Sequence, residues 1–586
     1  MTAPGVNSPV HAYHDGTKHH FHQFARSLGY LDWASQPNPF RSFAGAPVVP
    51  LPPRPDAPAP FTPHHLPGAI GDVLRHALGL SAWKRIGASR WALRVNPSSG
   101  NLHPTEAYVA AGAATGIADT PGVYHYAPDR HALERRCAFD AAAWQAAGME
   151  PDGWLIALTS IHWREAWKYG ERAFRYCQHD MGHAIAAIRI AASVAGFGAS
   201  LLPDWSHADI AALTGVDRDE DYLDAEREEA GCIIDVRRSS FDVLRSPFEV
   251  RRSAFEVRRS AFEVRRPGFE VRRSSLLAGV RAGAWTGHAS QLSEDHTTWT
   301  FIDDIAAATR DPGRARPSVP AETTADRDSP EPGGRPTGTA RSRDPLALSS
   351  SEAEPSYERP LLLQRRSAVS LDGASSIDTA IFLAMLSRVM PRAAPPWDAL
   401  WWNARIHLVI FVHRVRGTEP GLYLLVRDPS AADRLRQACG REFLWEHAGG
   451  PRPLYLLARG DCRALARRLS CDQDIAADGF FSVAMIADFD ASLQTFGASF
   501  YRHLFWEAGV VGQVLYLEAE AAGARATGIG CFFDDPVHDV LGIADHSFQS
   551  LYHFTVGVPV EDTRLTTEPG YPWEPATRDQ RPSVVD

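Results

Sequence analysis

The feature that most constrains this chain is a likeness between its two halves. VYHYAPDRHALERR at 123–136 resembles GLYLLVRDPSAADRLR at 421–436, each reading as a strand that leads into a short helix. RYCQHDMGHAIAAIRIAASVAGFG at 175–198 resembles RHLFWEAGVVGQVLYLEAEAAGARATGIG at 502–530. In both, an arginine precedes an acid by five residues and a glycine by seven: Arg175, Asp180 and Gly182, then Arg502, Glu507 and Gly509. Each stretch continues into an Ala-rich helix that ends in glycine. Chance likeness between Ala-rich helices is the competing explanation, but two matches in the same order favour an internal duplication. At 586 residues the chain is too long for one hydrophobic core, and two like folding units answer that length.

What lies between the units differs in composition. From 237 to 273 the chain repeats RRSAFEV and close variants, with Phe241, Phe248, Phe255, Phe262 and Phe269 spaced by seven. A coiled coil needs apolar gaps of three and four, whereas the gaps here are two and five. Eleven arginines against five acidic residues make the segment basic, which suits either an anionic docking strip or an expanded surface insertion; near-identical short repeats favour the insertion. From about 311 to 360 the sequence is rich in Pro, Gly, Ser and charge, with little to bury, and reads as a disordered linker. Residues 47–63 read as an extended polyproline-II-like arm.

The expected division is therefore an N-terminal extension and arm at 1–63, a first domain at 64–236, the repeat insertion at 237–276, an irregular linker at 277–360, a diverged second domain at 361–573 and a tail at 574–586. In the first domain we expect a helix near 71–80, a turn at 96–101, strands at 107–112, 123–126 and 154–161, and a long helix over 171–195. The second repeats the order: helix 377–389, strands 406–413, 422–426 and 453–458, and helix 502–522. Helices and strands mix without βαβ alternation, so the fold class is α+β.

Composition also excludes some functions. The formal net charge of −10 argues against generic nucleic-acid binding. Seven cysteines, none in a C-x-x-C arrangement, give neither a disulfide framework nor a structural zinc site, so a reducing compartment is the default. The N-terminal residues lack an apolar signal-peptide core, and the most apolar stretch, 184–202, carries Arg189 and reads as a buried helix. A soluble, cytoplasmic protein is expected.

The most informative local string is RVNPSSGNLHPTEAYV at 94–109. Pro97 fixes φ, Ser98 and Ser99 offer hydroxyls, Gly100 allows close backbone approach, and Asn96, Asn101 and His103 add amide and imidazole groups. Such a turn suits a planar, heteroatom-rich ligand; the alternative is an ordinary Ser/Gly loop. The string resembles the R-x-PSxGNxxP turn of the nitroreductase-like flavoproteins, where it lies against the FMN ring. YHDGTKH (13–19), GYLDWASQPNPFRSFAG (29–45), LGLSAWK (78–84) and WKYGERAFRYCQHDMGHAIA (167–186) look like the SagB-type (azoline) dehydrogenase branch. RRSAVSLDG at 365–373 resembles that superfamily's RRSxR opening, and TGIGCFFDDPVHDVLG (527–542) and YHFTVGVPVED (552–562) resemble its closing segments.

The resemblance implies two tandem nitroreductase-like, FMN-binding domains forming a pseudodimer within one chain. It further implies that Arg365, Arg366 and Ser367 contact the FMN phosphate, as bidentate charge-assisted bonds favour. FRSF, with Arg41 and Ser42, is the counterpart in the first half. Asn96, Pro97, Ser98, Ser99, Gly100 and Asn101 would line the cofactor site, with Gly528, Ile529 and Gly530 in the family's closing segment. The second half has LWWNARIH at 400–407 where a PSSGN turn is expected, so one competent site is favoured over two.

For chemistry, the Lys168–Tyr169 pair resembles the Lys-Tyr pair of azoline-oxidising relatives, implied to assist proton removal; a solvated residue near a helix end is the plainer reading of Lys168. His183 reads as a structural histidine. His11, His14, His19, His20 and His22 lack accompanying carboxylate or cysteine patterns, so no metal is assigned. The leading expectation is an FMN-dependent oxidoreductase acting on a small or peptide-borne, azoline-like substrate, possible biosynthetic partner enzymes included. The alternatives are an NAD(P)H-dependent nitroreductase or quinone reductase, for which no Rossmann motif is needed, and a flavin-free binding partner in a biosynthetic complex. No nucleic-acid or membrane partner is expected; a homo-oligomer remains open.

Overall fold

A computed structural model describes residues 8–53, 66–150, 153–238, 272–314, 357–440 and 442–574. The heptapeptide repeats and the stretch 315–356 lie outside the described residues, as does the arm beyond residue 53. Each half is built on an antiparallel sheet. In the first the strand order is Ala284–Trp285, Ala132–Ala138, Gly122–Ala127, Thr105–Ala111, Trp154–Ser160, Glu229–Arg238 and Phe197–Leu201. In the second it is Glu446–His447, Leu454–Arg459, Gly421–Leu425, Ile406–Val412, Phe481–Asp488, Phe548–Gly557 and Arg525–Ile529. From Ala132–Ala138 and Leu454–Arg459 onward the two orders correspond strand for strand, which is the structural form of the duplication; the outermost strands differ, since Ala284–Trp285 follows Glu229–Arg238 in the chain while Glu446–His447 precedes Leu454–Arg459. The central strands, such as Thr105–Ala111, Trp154–Ser160 and Ile406–Val412, are buried along their whole length because both faces of each sheet are covered.

The class is α+β, with two like domains in one chain. Expected and observed elements agree closely at the long helices, Ala173–Val194 and Phe500–Ala521. Three expectations change. VYHYAPDRHALERR is not a strand leading into a helix: it is a hairpin, Gly122–Ala127 to Ala132–Ala138, because His131 takes a left-handed φ of 48° and reverses the chain. Only the second copy, after Gly421–Leu425, turns into a helix, Ala432–Ala438.

Second, the start of the expected irregular linker, 277–314, is folded. Helix Arg273–Arg281 buries Leu276, Leu277 and Val280, Ala284–Trp285 extends the first sheet, and helix Thr300–Ala308 buries Ile302, Ile305 and Ala306. These apolar runs are short and spaced among polar residues, so their composition resembles a linker while their periodicity serves the core. Third, residues 48–50 of the expected arm form an edge strand against Ala132–Ala138. No helix among the described residues is long and apolar enough to cross a membrane.

The halves clasp each other. Helix Pro9–Gly16 of the first half packs on the second, His14 meeting Tyr501 (3.3 Å) and Gln549 (3.0 Å). In return, Thr566–Glu568 of the second half adds a strand to the hairpin Leu80–Ile86 and Ser89–Arg94 of the first. The two long helices cross where the repeated pattern places Gly182 and Gly509. A Cβ added at Gly182 would overlap the Trp506 carbonyl, and one at Gly509 would overlap the His179 carbonyl.

The rest of the repeated pattern works around that crossing. Arg175 crosses to the opposite half, pairing with Asp534 at 2.8 Å beside Arg172 at 2.9 Å, while Arg502 crosses the other way to Glu229 at 3.3 Å. The acids stay within their own halves: Asp180 accepts the Ser99 N–H at 3.1 Å, and Glu507 accepts those of Arg405 and Ile406 at 2.9 and 3.2 Å. One short sequence unit thus carries an inter-half ion pair, a loop anchor and a helix crossing.

Helix propensity alone makes Gly→Ala inside a helix favourable by ~1 kcal/mol. At the crossing the backbones leave no room, so Gly182→Ala is expected to destabilise the protein by ~2 kcal/mol or more, as forced overpacking does. Denaturant unfolding of the full chain measures it; a variant as stable as the parent would show that the helices do not meet at this residue.

Candidate functional site between the halves

Strand Ser89–Arg94 delivers the chain into the turn at 95–103, whose shape depends on positive φ angles at Gly100 (59°), Asn101 (60°) and His103 (54°). The turn is tied internally. The His103 N–H donates to Ser98 Oγ (2.7 Å), Asn101 Nδ2 donates to Ala92 O (2.9 Å), and Asn101 Oδ1 meets His103 Nε2 (3.0 Å). Ser99 donates through both its N–H and its hydroxyl to Asp180. Asn101 and the serine hydroxyls therefore build the turn, while Asn96, buried, keeps its Oδ1 without a partner.

Helix His162–Tyr169 ends beside this turn. A Cβ on Gly100 would lie 2.7 Å from Tyr169 Oη and 3.3 Å from Lys168 Nζ, so the Lys-Tyr pair and the glycine of the turn converge. Lys168 is exposed, not desolvated. Tyr169 packs edge-on against Tyr176 at 4.5 Å, and Tyr176 Oη donates to Gly530 O at 3.1 Å, which carries the site across to the second half.

The second half contributes the segment after helix Arg359–Gln364 and the strand Arg525–Ile529, bridged at Ser367 and Ala526. Arg365 is buried and reaches into the first half, donating from Nε to Val95 O (3.1 Å) and from Nη2 to Arg94 O (3.2 Å), with its guanidinium 4.9 Å over the Tyr516 ring. Its remaining nitrogen, Nη1, has no partner. Tyr516 Oη sits 2.9 Å from Ser367 Oγ and accepts the Gly528 N–H at 3.0 Å. Side chains at Gly528 and Gly530 would run into Tyr552 and Tyr176, so both positions bring bare backbone up to aromatic rings.

The structure thus gathers Asn96, Pro97, Ser98, Ser99, Gly100, Asn101, Lys168 and Tyr169 with Arg365, Ser367, Gly528, Ile529 and Gly530. It does not gather Arg366, Arg41 and Ser42 with them. Arg366 turns to the carbonyls of Leu363, Arg365 and Ser81, which fixes the backbone around its neighbour. Arg41 is fully buried on the carbonyls of Ser290 and Glu226 with Glu228 3.4 Å from its Nε, and the Ser42 N–H donates to Ser290 Oγ. A guanidinium already facing two buried glutamates offers an added phosphate no net attraction.

Sequence reasoning also missed two buried acids. Asp180 entered only as part of the repeated pattern, and Glu165 carried no signal beyond lying three residues before Lys168. Glu165 is fully buried, and burial with the nearby Asp180 pushes its pKa well above the ordinary range, against the opposing pull of Lys168 and the Ser98 hydroxyl. Burial pushes Asp180 up to about 7, against the opposing pull of its serine hydrogen bonds.

An acid whose folded-state pKa is raised favours the folded state fully below its unfolded value, ~3.9, and that contribution is lost as pH rises toward 7. Asp180→Asn, which keeps a hydrogen-bond acceptor, is therefore expected to lose less stability than the parent between pH 4 and 7. Urea unfolding across that range decides it, and parallel profiles would show that Asp180 is ionised throughout.

Comparison with known proteins places this geometry. The model of the nitroreductase family matches twice, at residues 84–225 and 417–558. A Methanocaldococcus jannaschii protein described as a nitroreductase is 30% identical over 110 residues, covering 17% of this chain and 54% of that protein, so the match spans about half of its length. A crystal structure described as a nitroreductase from Anabaena variabilis is similar at TM-score 0.62 and 20% identity, over 94% of this chain and all of that one. The Escherichia coli microcin synthetase complex also matches, at TM-score 0.24 and 15% identity over 41% of this chain and 84% of that one. With the two family matches falling one on each sheet, the chain consists of two nitroreductase domains in tandem.

Proposed function

We propose that this protein is an FMN-dependent oxidoreductase of SagB type, with a single flavin site between its halves and a peptide-borne, azoline-like substrate. The observation that carries the reading is the meeting of the 95–101 turn of one half with Arg365, Ser367 and the 528–530 segment of the other. Two buried polar atoms there, Arg365 Nη1 and Asn96 Oδ1, lack protein partners. Burying such atoms costs about 1–3 kcal/mol each unless a ligand satisfies them. A flavin phosphate suits the guanidinium and the exposed Ser367 hydroxyl, and a flavin ring edge offers donors to an amide oxygen.

Bound there, FMN would supply two-electron chemistry, taking a hydride from a substrate C–H. The chain's own residues bind and orient. Arg365 and Ser367 hold the phosphate end. The glycines at 100, 528 and 530 let backbone come close, and Tyr176 and Tyr552 stand over the last two. Lys168 and the Tyr169 hydroxyl sit together at the rim of the turn, placed to donate hydrogen bonds that orient the substrate as its C–H is oxidised. Close by, burial holds the Glu165 pKa well above the ordinary carboxyl range, and Asp180, bound to Ser99, keeps the turn in place.

The pseudosymmetric position is a poor second site. Glu507 there holds Arg405, Ile406 and the Trp402 indole N–H, and Arg41 is already matched by Glu226 and Glu228.

Full-length protein purified with FMN is expected to show a flavin spectrum, and Arg365→Ala to bind FMN ~10-fold or more weakly, the scale of one lost charge-assisted contact. Unchanged affinity would place the phosphate elsewhere, and colourless protein that refuses FMN would contradict the enzyme reading. Lys168→Ala is expected to keep FMN affinity while lowering turnover by ~10²-fold, the scale of one lost charge-stabilising donor. Anaerobic bleaching by NADPH instead of by an azoline peptide would redirect the substrate toward nitro compounds or quinones.

A further inference from the structure

Cys531 directly follows Gly530, and its Sγ lies 2.8 Å from Cys471 Sγ although the two residues are far apart in sequence. Both are partly exposed, whereas Cys137, Cys177, Cys232 and Cys439 are buried. The two segments are locked in this position. The Phe533 N–H donates to Leu469 O at 2.9 Å, and the Gln473 side-chain amide donates to both Ser470 O (2.9 Å) and Cys531 O (3.0 Å). Cys471 and Asp472 have φ angles of 53° and 56°, a left-handed turn that side-chain-bearing residues keep only where the surroundings impose it.

The setting also separates the two sulfurs chemically. His19 Nδ1 accepts the Ala25 N–H at 2.9 Å, so the proton of this neutral imidazole is on Nε2, the atom left to bond Cys531. Arg172 stands nearby, with Nη2 3.4 Å from Gly530 O. The Cys471 thiol, the His19 N–H and the Arg172 charge all favour a thiolate at Cys531 and hold its pKa below the ordinary thiol value, while the same bond raises Cys471. A low-pKa, accessible sulfur beside a second, protonated one is the arrangement of redox-responsive thiols.

We infer that Cys471 and Cys531 form a redox-active dithiol beside the 528–530 segment, Cys531 attacking and Cys471 resolving, with a small disulfide as oxidant. The Cys531 thiolate attacks one sulfur of that disulfide, its S–S bond breaks, and the first thiolate leaves. Cys471 then gives up its proton and attacks Cys531 Sγ; the second thiolate leaves and takes that proton. Two protein sulfurs are oxidised and one disulfide is reduced to two thiols. The new bond ties the 469–473 turn to the strand end that carries Gly528 and Gly530, so the redox state of the pair reaches the site between the halves. This inference stands on the sulfur geometry and does not depend on flavin binding.

The test is incubation of reduced full-length protein with oxidised glutathione at pH 7, followed by alkylation, digestion and mass spectrometry. The expected result is a Cys471–Cys531 cross-linked peptide, reversed by dithiothreitol. In Cys471→Ser, glutathione should remain on Cys531; in Cys531→Ser, Cys471 should stay free. Alkylation of Cys531 by iodoacetamide in the unmodified protein should be ~10-fold faster at pH 7 than that of the partly exposed Cys462, and His19→Ala should slow it several-fold. Glutathione on Cys462 with Cys471 and Cys531 untouched, or a Cys471→Ser protein that leaves Cys531 unmodified, would overturn the inference.

Discussion

Two helices that meet backbone to backbone set the positions of everything else in this protein. Helices ordinarily pack about 8–10 Å apart, held off by their side chains. Gly182 and Gly509 remove the side chains at the contact, and each backbone then lies where the other's Cβ would be. Because the contact is pseudosymmetric, the residues around it come in pairs with equivalent duties. Arg175 and Arg502 cross to the opposite half, and Asp180 and Glu507 anchor the loop of their own. Removing one partner of an ion pair buried at such a seam leaves an uncompensated charge that costs about 3–5 kcal/mol.

The symmetry stops where the chemistry begins. Both halves keep the scaffold, yet each carries a different part of the proposed binding apparatus. The first half retains the Ser/Gly turn and the Lys168–Tyr169 pair, and its own arginine, Arg41, is neutralised by buried glutamates. The second retains Arg365, Ser367 and the Gly-rich strand end, and has tryptophans where the turn would be. A symmetric dimer makes two composite sites from one kind of subunit. A fused pair is free to concentrate the working parts at one of them, and the divergence between these halves follows that line.

Much of this was legible in the sequence, for identifiable reasons. The long helices declare themselves through their length and Ala-rich composition, and central strands such as Trp154–Ser160 through apolar runs, since both faces are buried. The R-x4-[D/E]-x-G unit pointed to the duplication, although its three separate duties appear only when the halves are docked. The hairpin at 122–138 was misread because its copy at 421–436 does become a helix, whereas here the chain reverses before Ala132 with His131 at a left-handed φ. The folded part of 272–314 was missed because three or four buried residues per element are enough when a neighbouring sheet supplies the other side. Arg41 could not be judged at all from sequence, since its glutamate partners lie some 185 residues away, at Glu226 and Glu228. Charge neutralisation of that kind is a property of the fold.

The central claim is that one flavin is held jointly by the two unlike halves of a single chain. The most direct measurement is the amount of FMN released by denaturation per polypeptide, from full-length protein saturated with FMN and freed of excess. The account requires one FMN per chain; two per chain, or none, would contradict it.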